Sequence, residues 1–156
     1  MIRIRKGERF DAPEVYNLIK ELADYEKSLD KVLISLQDLE RDGFNKNPLF
    51  WTILAESKSE IVGMAFYYIR YSTWNGKILY LEDFFVKKSF RNQGIGTMLF
   101  EECIRATKKI NANGLAWQVL NWNQPAINFY KKYNAELKAN WMNGKLYKDQ
   151  IKDLNI

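Results

Sequence analysis

Histidine is absent from this 156-residue chain, cysteine occurs once and proline three times. Without histidine the usual zinc ligands and the commonest general base are missing, so no metal site is expected and any catalysis rests on carboxylates, tyrosines, amines or the backbone. Cys103 alone cannot close an internal disulfide. Long apolar runs are lacking too: charged residues interrupt every window approaching the ~20 residues that a membrane span needs. The basic start, Met1 to Lys6, is followed by neither the apolar stretch nor the cleavage site of a signal peptide, so the expectation is a cytoplasmic protein with no membrane partner. Repeats, low-complexity tracts and Ser/Gly linkers are also missing, which predicts one domain over residues 1–156.

What is present is enough apolar surface to build a core: 47% of residues are hydrophobic and 15% aromatic, far from the composition of a disordered chain. The net charge of +5 suits nucleic acid or any polyphosphate ligand. The lysines are scattered, with pairs at 87–88, 108–109 and 131–132, and no stacking motif of an RNA-binding module accompanies them, so a nucleic-acid partner is not expected.

Residues 2–6 alternate apolar and basic, as a short strand does, and Asp11 is placed to cap a helix carrying Val15, Leu18, Ile19 and Leu22 as far as about Lys27. Ser35-Leu36-Gln37-Asp38 matches a capping box for a short second helix that Gly43 stops. Three strands follow, 50–55, 61–70 and 77–86, separated by Lys58-Ser59 and by Trp74-Asn75-Gly76. After Gly96, Leu99, Cys103, Ala106 and Ile110 share one helical stripe, which makes Cys103 a core residue. Residues 115–120 then read as a strand, Asn123 and Pro125 open a helix through Tyr133, and 136–148 gives one or two weak strands. The fold class is α/β (α+β): a mixed, mostly antiparallel sheet flanked by helices.

Segment 91–96, Arg91-Asn92-Gln93-Gly94-Ile95-Gly96, joins a strand to a helix, where backbone amides converge on an anion and glycines allow close approach and positive φ. A Walker loop needs a lysine after Gly96, and a dinucleotide fingerprint needs a third glycine where Leu99 stands, so both fail. Taken alone, the two glycines fit a plain strand-to-helix turn equally well.

The Arg91-x-x-Gly94-x-Gly96 spacing after an apolar strand resembles the acetyl-CoA motif of the GNAT acetyltransferase superfamily, and the order of elements is similar along nearly the whole chain. Leu18 to Ala23, Asp42-Gly43-Phe44, Tyr80 to Val86 and Trp122 to Pro125 resemble the spermidine/spermine and thialysine acetyltransferase subfamily. The resemblance implies acetyl-CoA as cosubstrate, held by Phe84, Phe85, Val86, Arg91, Asn92, Gln93, Gly94, Ile95, Gly96, Thr97, Asn123, Gln124, Pro125 and Ala126. It implies Tyr130 as the acid that protonates the leaving thiolate, and Glu82 as the base or substrate anchor. Tyr25, Glu26, Trp74, Glu82 and Asp83 are implied to bind a small cationic amine, and relatives of this kind are homodimers. Tyr133 departs from the pattern, where a basic residue is usual; Lys131 or Lys132 is the substitute. Ser72-Thr73 before Trp74 looks like the thialysine enzyme rather than the polyamine one.

An amine with a pKa of about 10.4 must lose a proton before it attacks a thioester. Strict alternation along 77–86 puts Tyr80, Glu82, Phe84 and Val86 on one face and Leu79, Leu81, Asp83 and Phe85 on the other, so that Glu82 and Asp83 point oppositely. A mid-strand carboxylate is costly unless paired or solvated, which makes Glu82 a better functional candidate than a surface acid. Two other readings remain: acetylation of a protein or peptide amine, and an acetyl-CoA-binding module without turnover.

Overall fold

The computed structural model describes residues 1–154. They divide into two compact units, residues 1–118 and the described residues from 119 on. Among the described residues no helix is long and apolar enough to cross a membrane.

The first unit is built on a five-stranded sheet in the order β1-β2-β3-β4-β5. Its strands are β1 (Ile2–Lys6), β2 (Trp51–Ser57), β3 (Glu60–Ser72), β4 (Gly76–Val86) and β5 (Gly114–Trp117). The first four pair antiparallel in sequence order, and β5 runs parallel to β4. Helices α1 (Ala12–Tyr25) and α2 (Leu36–Gly43) join β1 to β2, and α3 (Ile95–Lys109) joins β4 to β5.

One sheet face carries a cluster of Val15, Leu18 and Leu22 from α1, Leu39 from α2, and Phe50, Leu54, Met64 and Phe85, with Phe66 and Tyr68 packed against it. On the opposite face Leu99, Phe100 and Cys103 of α3 are buried. Phe100 meets Phe84 and Trp117 edge-on, with ring centroids 5.9 and 5.4 Å away. Cys103 is fully covered, and burial pushes its thiol up to about 12, so it stays protonated and inert, in keeping with the core role expected of it.

Most local signals act as anticipated. Ser35 and Asp38 form both halves of the capping box of α2, the Ser35 hydroxyl accepting from the Asp38 amide at 3.1 Å. Asp11 is the N-cap residue of α1, but its side chain makes no cap bond there. It closes a 3-10 turn, Arg9–Asp11, and its carboxylate accepts from the Glu8 amide and from both terminal nitrogens of Arg5, each at 2.7 Å. With Arg5 also bonding Glu56 at 2.6 Å, a largely buried ion network draws that carboxylate away from the helix end. The helix stops at Tyr25 rather than Lys27, because Lys27 takes a left-handed φ of 56°.

The second unit holds α4 (Gln124–Lys131) and a five-residue helix α5 (Lys148–Lys152). Asn123 caps α4, its side-chain oxygen accepting from the Ala126 amide at 3.3 Å. The expected strands over 136–148 do not form, and every residue from 136 to 154 is exposed. A strand persists by burying one face and pairing its backbone. Here Leu137, Trp141, Met142 and Leu146 lack the regular alternation that would define such a face, and Gly144 interrupts them.

Candidate acceptor and cofactor site

The site residues of the first unit are positioned by an irregularity in β4. Opposite β3, Phe66 pairs with Asp83 but Tyr67 pairs with Leu81, so Glu82 is an extra residue in the register. This is a β-bulge, and it breaks the alternation expected of the strand. Before it, Tyr80 lies beside Tyr68 on the α1/α2 face, with ring centroids 5.2 Å apart. After it, Phe85 belongs to the α1/α2 cluster while Phe84 meets Phe100 of α3. Asp83, paired with Phe66, is therefore on the α1/α2 face.

Glu82 and Asp83 consequently do not point oppositely. Burial first, and the exposed Glu82 second, raise Asp83, Tyr68 and Tyr80 above their ordinary pKa values, all groups of that one face. Asp83 is partly buried. Desolvation, then Glu82, then Glu26 at the end of α1 push it up to about 7, and no hydrogen bond offsets them. Burial also raises the Glu26 carboxyl above its ordinary value. Three carboxylates thus share one region, where a cation would relieve their repulsion.

The β4–β5 pairing ends at Leu81 and Trp117. The strand expected over 115–120 stops three residues early because its pairing with β4 ends there.

From Val86 the chain makes a 3-10 turn, Lys88–Phe90, and reaches the glycine segment. Asn92 and Gly94 have φ values of 61° and 79°. Gly94 is the N-cap of the 15-residue α3, and no side chain caps that end. A Cβ at Gly94 would meet nothing within 4 Å. The first amides of a helix have no acceptor within it and carry the positive end of its dipole, so an exposed, uncapped start of this kind fits an anion such as a pyrophosphate.

The candidate contacts there divide by burial. Ile95 is fully buried and Phe85 nearly so, which leaves only their backbone for a ligand. Asn92, Gln93, Gly94 and Thr97 are exposed and Gly96 partly so, although the Gln93 amide donates to the Ser89 carbonyl at 3.2 Å. Arg91 turns inward. Its Nε donates to the Val86 carbonyl at 2.9 Å, and its guanidinium lies 4.7 Å from the Tyr25 ring centroid and 5.4 Å from that of Phe85. It therefore ties the glycine segment to the end of α1, where Tyr25 and Glu26 sit.

Trp74 is not brought to this cluster. It stands 84% exposed in the β3–β4 hairpin tip, where Ser72 Oγ accepts from its amide and from that of Asn75. At about 3.3 Å per residue, the tip lies roughly 20 Å along β4 from Glu82.

In the second unit, Asn123, Gln124, Pro125 and Ala126 form the capped start of α4, and Tyr130 is 4% exposed, its ring edge-on to Phe129 at 5.3 Å. Lys131 and Lys132 are exposed at its end, and the ring of Tyr133 lies 5.6 Å from Phe129.

Sequence reasoning overlooked Tyr68, Tyr80 and the internal role of Arg91. Counting back from the hairpin tip would have set Tyr68 opposite Tyr80. Nothing local signals where the Arg91 side chain turns.

Residues 12–135 match the model of the acetyltransferase (GNAT) family. The chain is 37% identical over 142 residues to the mouse thialysine N-epsilon-acetyltransferase, covering 86% of this chain and 84% of that protein. It is 39% identical over 140 residues to the human spermidine/spermine N(1)-acetyltransferase-like protein 1, covering 85% of this chain but only 20% of that much longer protein. Among solved structures, an aminoglycoside acetyltransferase from an uncultured soil metagenomic sample superposes with a TM-score of 0.79 at 19% identity, over 94% of this chain and 97% of the other. An aminoglycoside N-acetyltransferase in complex with CoA does so with a TM-score of 0.73 at 17% identity, over 94% and 95%. These two likenesses concern the fold.

Proposed function

The chain belongs to the acetyltransferase (GNAT) family, and from that premise we propose that it transfers the acetyl group of acetyl-CoA to a primary amine of a small cationic acceptor of the thialysine, lysine or diamine kind. The observation that carries the acceptor class is the bulge in β4, which gathers Glu82 and Asp83 on the face that Glu26 also approaches. Three carboxylates attract an ammonium and disfavour an anionic acceptor. The names of the relatives point the same way.

In this reading the exposed amides at the start of α3 hold the pyrophosphate, and Asn123 to Ala126 keep the cofactor role that the family resemblance implies. The end of β4 at Phe84 to Val86 receives the pantetheine arm and polarises the thioester carbonyl through a backbone amide. Tyr25, Glu26, Glu82 and Asp83 hold the acceptor, and Trp74 takes no part in it within one chain. Tyr130 supplies the proton that the departing sulfur takes up. Residues 1–156 work as one domain in a homodimer, a proposal in keeping with the exposed Tyr71, Trp74 and Trp141.

The test is a panel of thialysine, lysine, ornithine, short diamines, spermidine, spermine and a lysine-containing peptide, each assayed for CoA release from acetyl-CoA. Turnover is expected to be fastest with thialysine, lysine or the diamines. A preference for the peptide would favour a protein acceptor instead, and acetyl-CoA binding without release from any amine would reduce the chain to a binding module.

A further inference from the structure

We propose that Arg70 sets the specificity of the acceptor site: its guanidinium pairs with the carboxylate of a free lysine-like amino acid whose side-chain amine reaches Glu82 and Asp83. The proposal rests on the acetyl-transfer reading given above and narrows its acceptor from small cationic amines to those that also carry a carboxylate.

Arg70 reaches the acceptor face through the register of β3. Phe66 and Tyr68 pack against the α1/α2 cluster, and alternation puts Arg70 on that same side. Across the β3–β4 ladder the row reads Arg70 opposite Ile78, Tyr68 opposite Tyr80, and Phe66 opposite Asp83. A cation therefore stands at one end of the row and the bulge carboxylates at the other, with two tyrosine rings between them. The guanidinium lies 4.7 Å from the ring centroid of Tyr80, a diagonal contact that carries it one step toward Asp83. Burial raises both tyrosine hydroxyls; beyond that Glu82 raises them further and Arg70 lowers them, so the pair senses an acid and a cation together.

The charge of Arg70 is available to a ligand. Arg5, Arg41 and Arg105 all hold carboxylates, whereas Arg70 is exposed and, among the described residues, forms no ion pair. Stacking on a ring leaves the in-plane N–H donors of a guanidinium able to fork onto a carboxylate.

The spacing suits one length of ligand. At about 3.3 Å per residue, the level of Asp83 lies roughly 7 Å along the strands from that of Tyr80 and roughly 13 Å from that of Arg70. Six bonds of about 1.5 Å separate the side-chain nitrogen of lysine from its carboxyl carbon, an extended span of about 7–8 Å that falls inside this interval. Thialysine, with sulfur in place of one methylene, has the same number of bonds. A diamine of that length sets a second ammonium beside the guanidinium, and a longer polyamine runs positive charge into it. Water screens the exposed Arg70, so its effect is a preference rather than an absolute bar.

The experiment compares kcat/KM for lysine, thialysine, lysine amide and 1,5-diaminopentane, the last being lysine without its carboxylate, in wild type, Arg70→Gln and Arg70→Lys. Wild type should prefer lysine to its amide and to the diamine by about tenfold or more, chiefly through KM. Arg70→Gln should raise KM for lysine about tenfold and lower it for the diamine, so that the preference collapses. Arg70→Lys keeps the charge without the fork and should retain part of the preference. A purely structural role for the Arg70–Tyr80 stack would depress all four acceptors by the same factor, and that result, or an unmoved ratio, overturns the proposal. So does a wild type that takes the amide or the diamine as readily as lysine, a comparison that stands even if Arg70→Gln fails to fold. CoA release with none of the four would remove the small-amine acceptor on which the proposal rests, whereas release with all of them and no dependence on the carboxylate refutes the role of Arg70 alone.

Discussion

Replacing Asp83 by Asn should change how stability depends on pH, whatever the reaction. In the folded chain the carboxyl lies near 7 against an ordinary value of 3.8. The folded state therefore binds more protons than the unfolded one between those values, so this group's contribution is fully present below about pH 4 and is lost as pH rises through 7. The interval corresponds to roughly 4 kcal/mol as an upper figure, and because the site is only partly buried about 2 kcal/mol is the expected loss. An Asn of the same shape has no proton to lose. Urea unfolding followed by tryptophan fluorescence at several pH values between 4 and 8 would compare the two proteins. Carboxylates away from Glu82 and Glu26 titrate alike in both, so the difference isolates this cluster. The variant should gain about 2 kcal/mol relative to wild type between pH 4 and 8, and parallel curves would refute the assignment of a strained carboxylate.

Three further substitutions probe other parts of the molecule. Tyr130→Phe keeps the ring and removes the hydroxyl, so turnover should fall about 100-fold or more with acetyl-CoA affinity unchanged; wild-type turnover would remove Tyr130 from the acid role. Gly94→Val imposes a branched side chain on a φ of 79° at the open start of α3, which should cost about 1–2 kcal/mol in stability and weaken acetyl-CoA binding at least tenfold by calorimetry. Gly43→Ala would set a Cβ 2.1 Å from the Phe50 ring in the α1/α2 cluster, and a loss of about 1–3 kcal/mol, read as a lower Tm, is expected far from the proposed chemistry.

Much of this architecture is legible in the sequence because it is written in local patterns: the alternation of residues 2–6, the Ser35–Asp38 box, the Trp74-Asn75-Gly76 turn and the stripe through Cys103. Each fixes an element with its neighbours in the chain. The tail over 136–148 defeats the same reasoning, since isolated apolar residues there suggest strands but define no continuous face. The site is legible as a set of residue types, and less so as an arrangement. A carboxylate pair inside the apolar run Ile78 to Val86 signals an irregularity, yet the bulge itself depends on how β3 lies alongside. The inward turn of Arg91 is likewise a tertiary fact, created by α1 bringing Tyr25 over the end of β4.

The single extra residue in β4 works like a parity switch. Upstream of Glu82 the even-numbered side chains belong to the α1/α2 side, and downstream the odd-numbered ones do. Deleting Glu82 would thus remove the irregularity together with the charge: Leu81 would be followed directly by Asp83, alternation would be restored, and Asp83, Phe84 and Phe85 would keep the faces that they have. Substitution at 82 removes a carboxylate and keeps the bulge, whereas deletion there removes both, and in either case Phe84 and Phe85 stay on their own sides of the sheet.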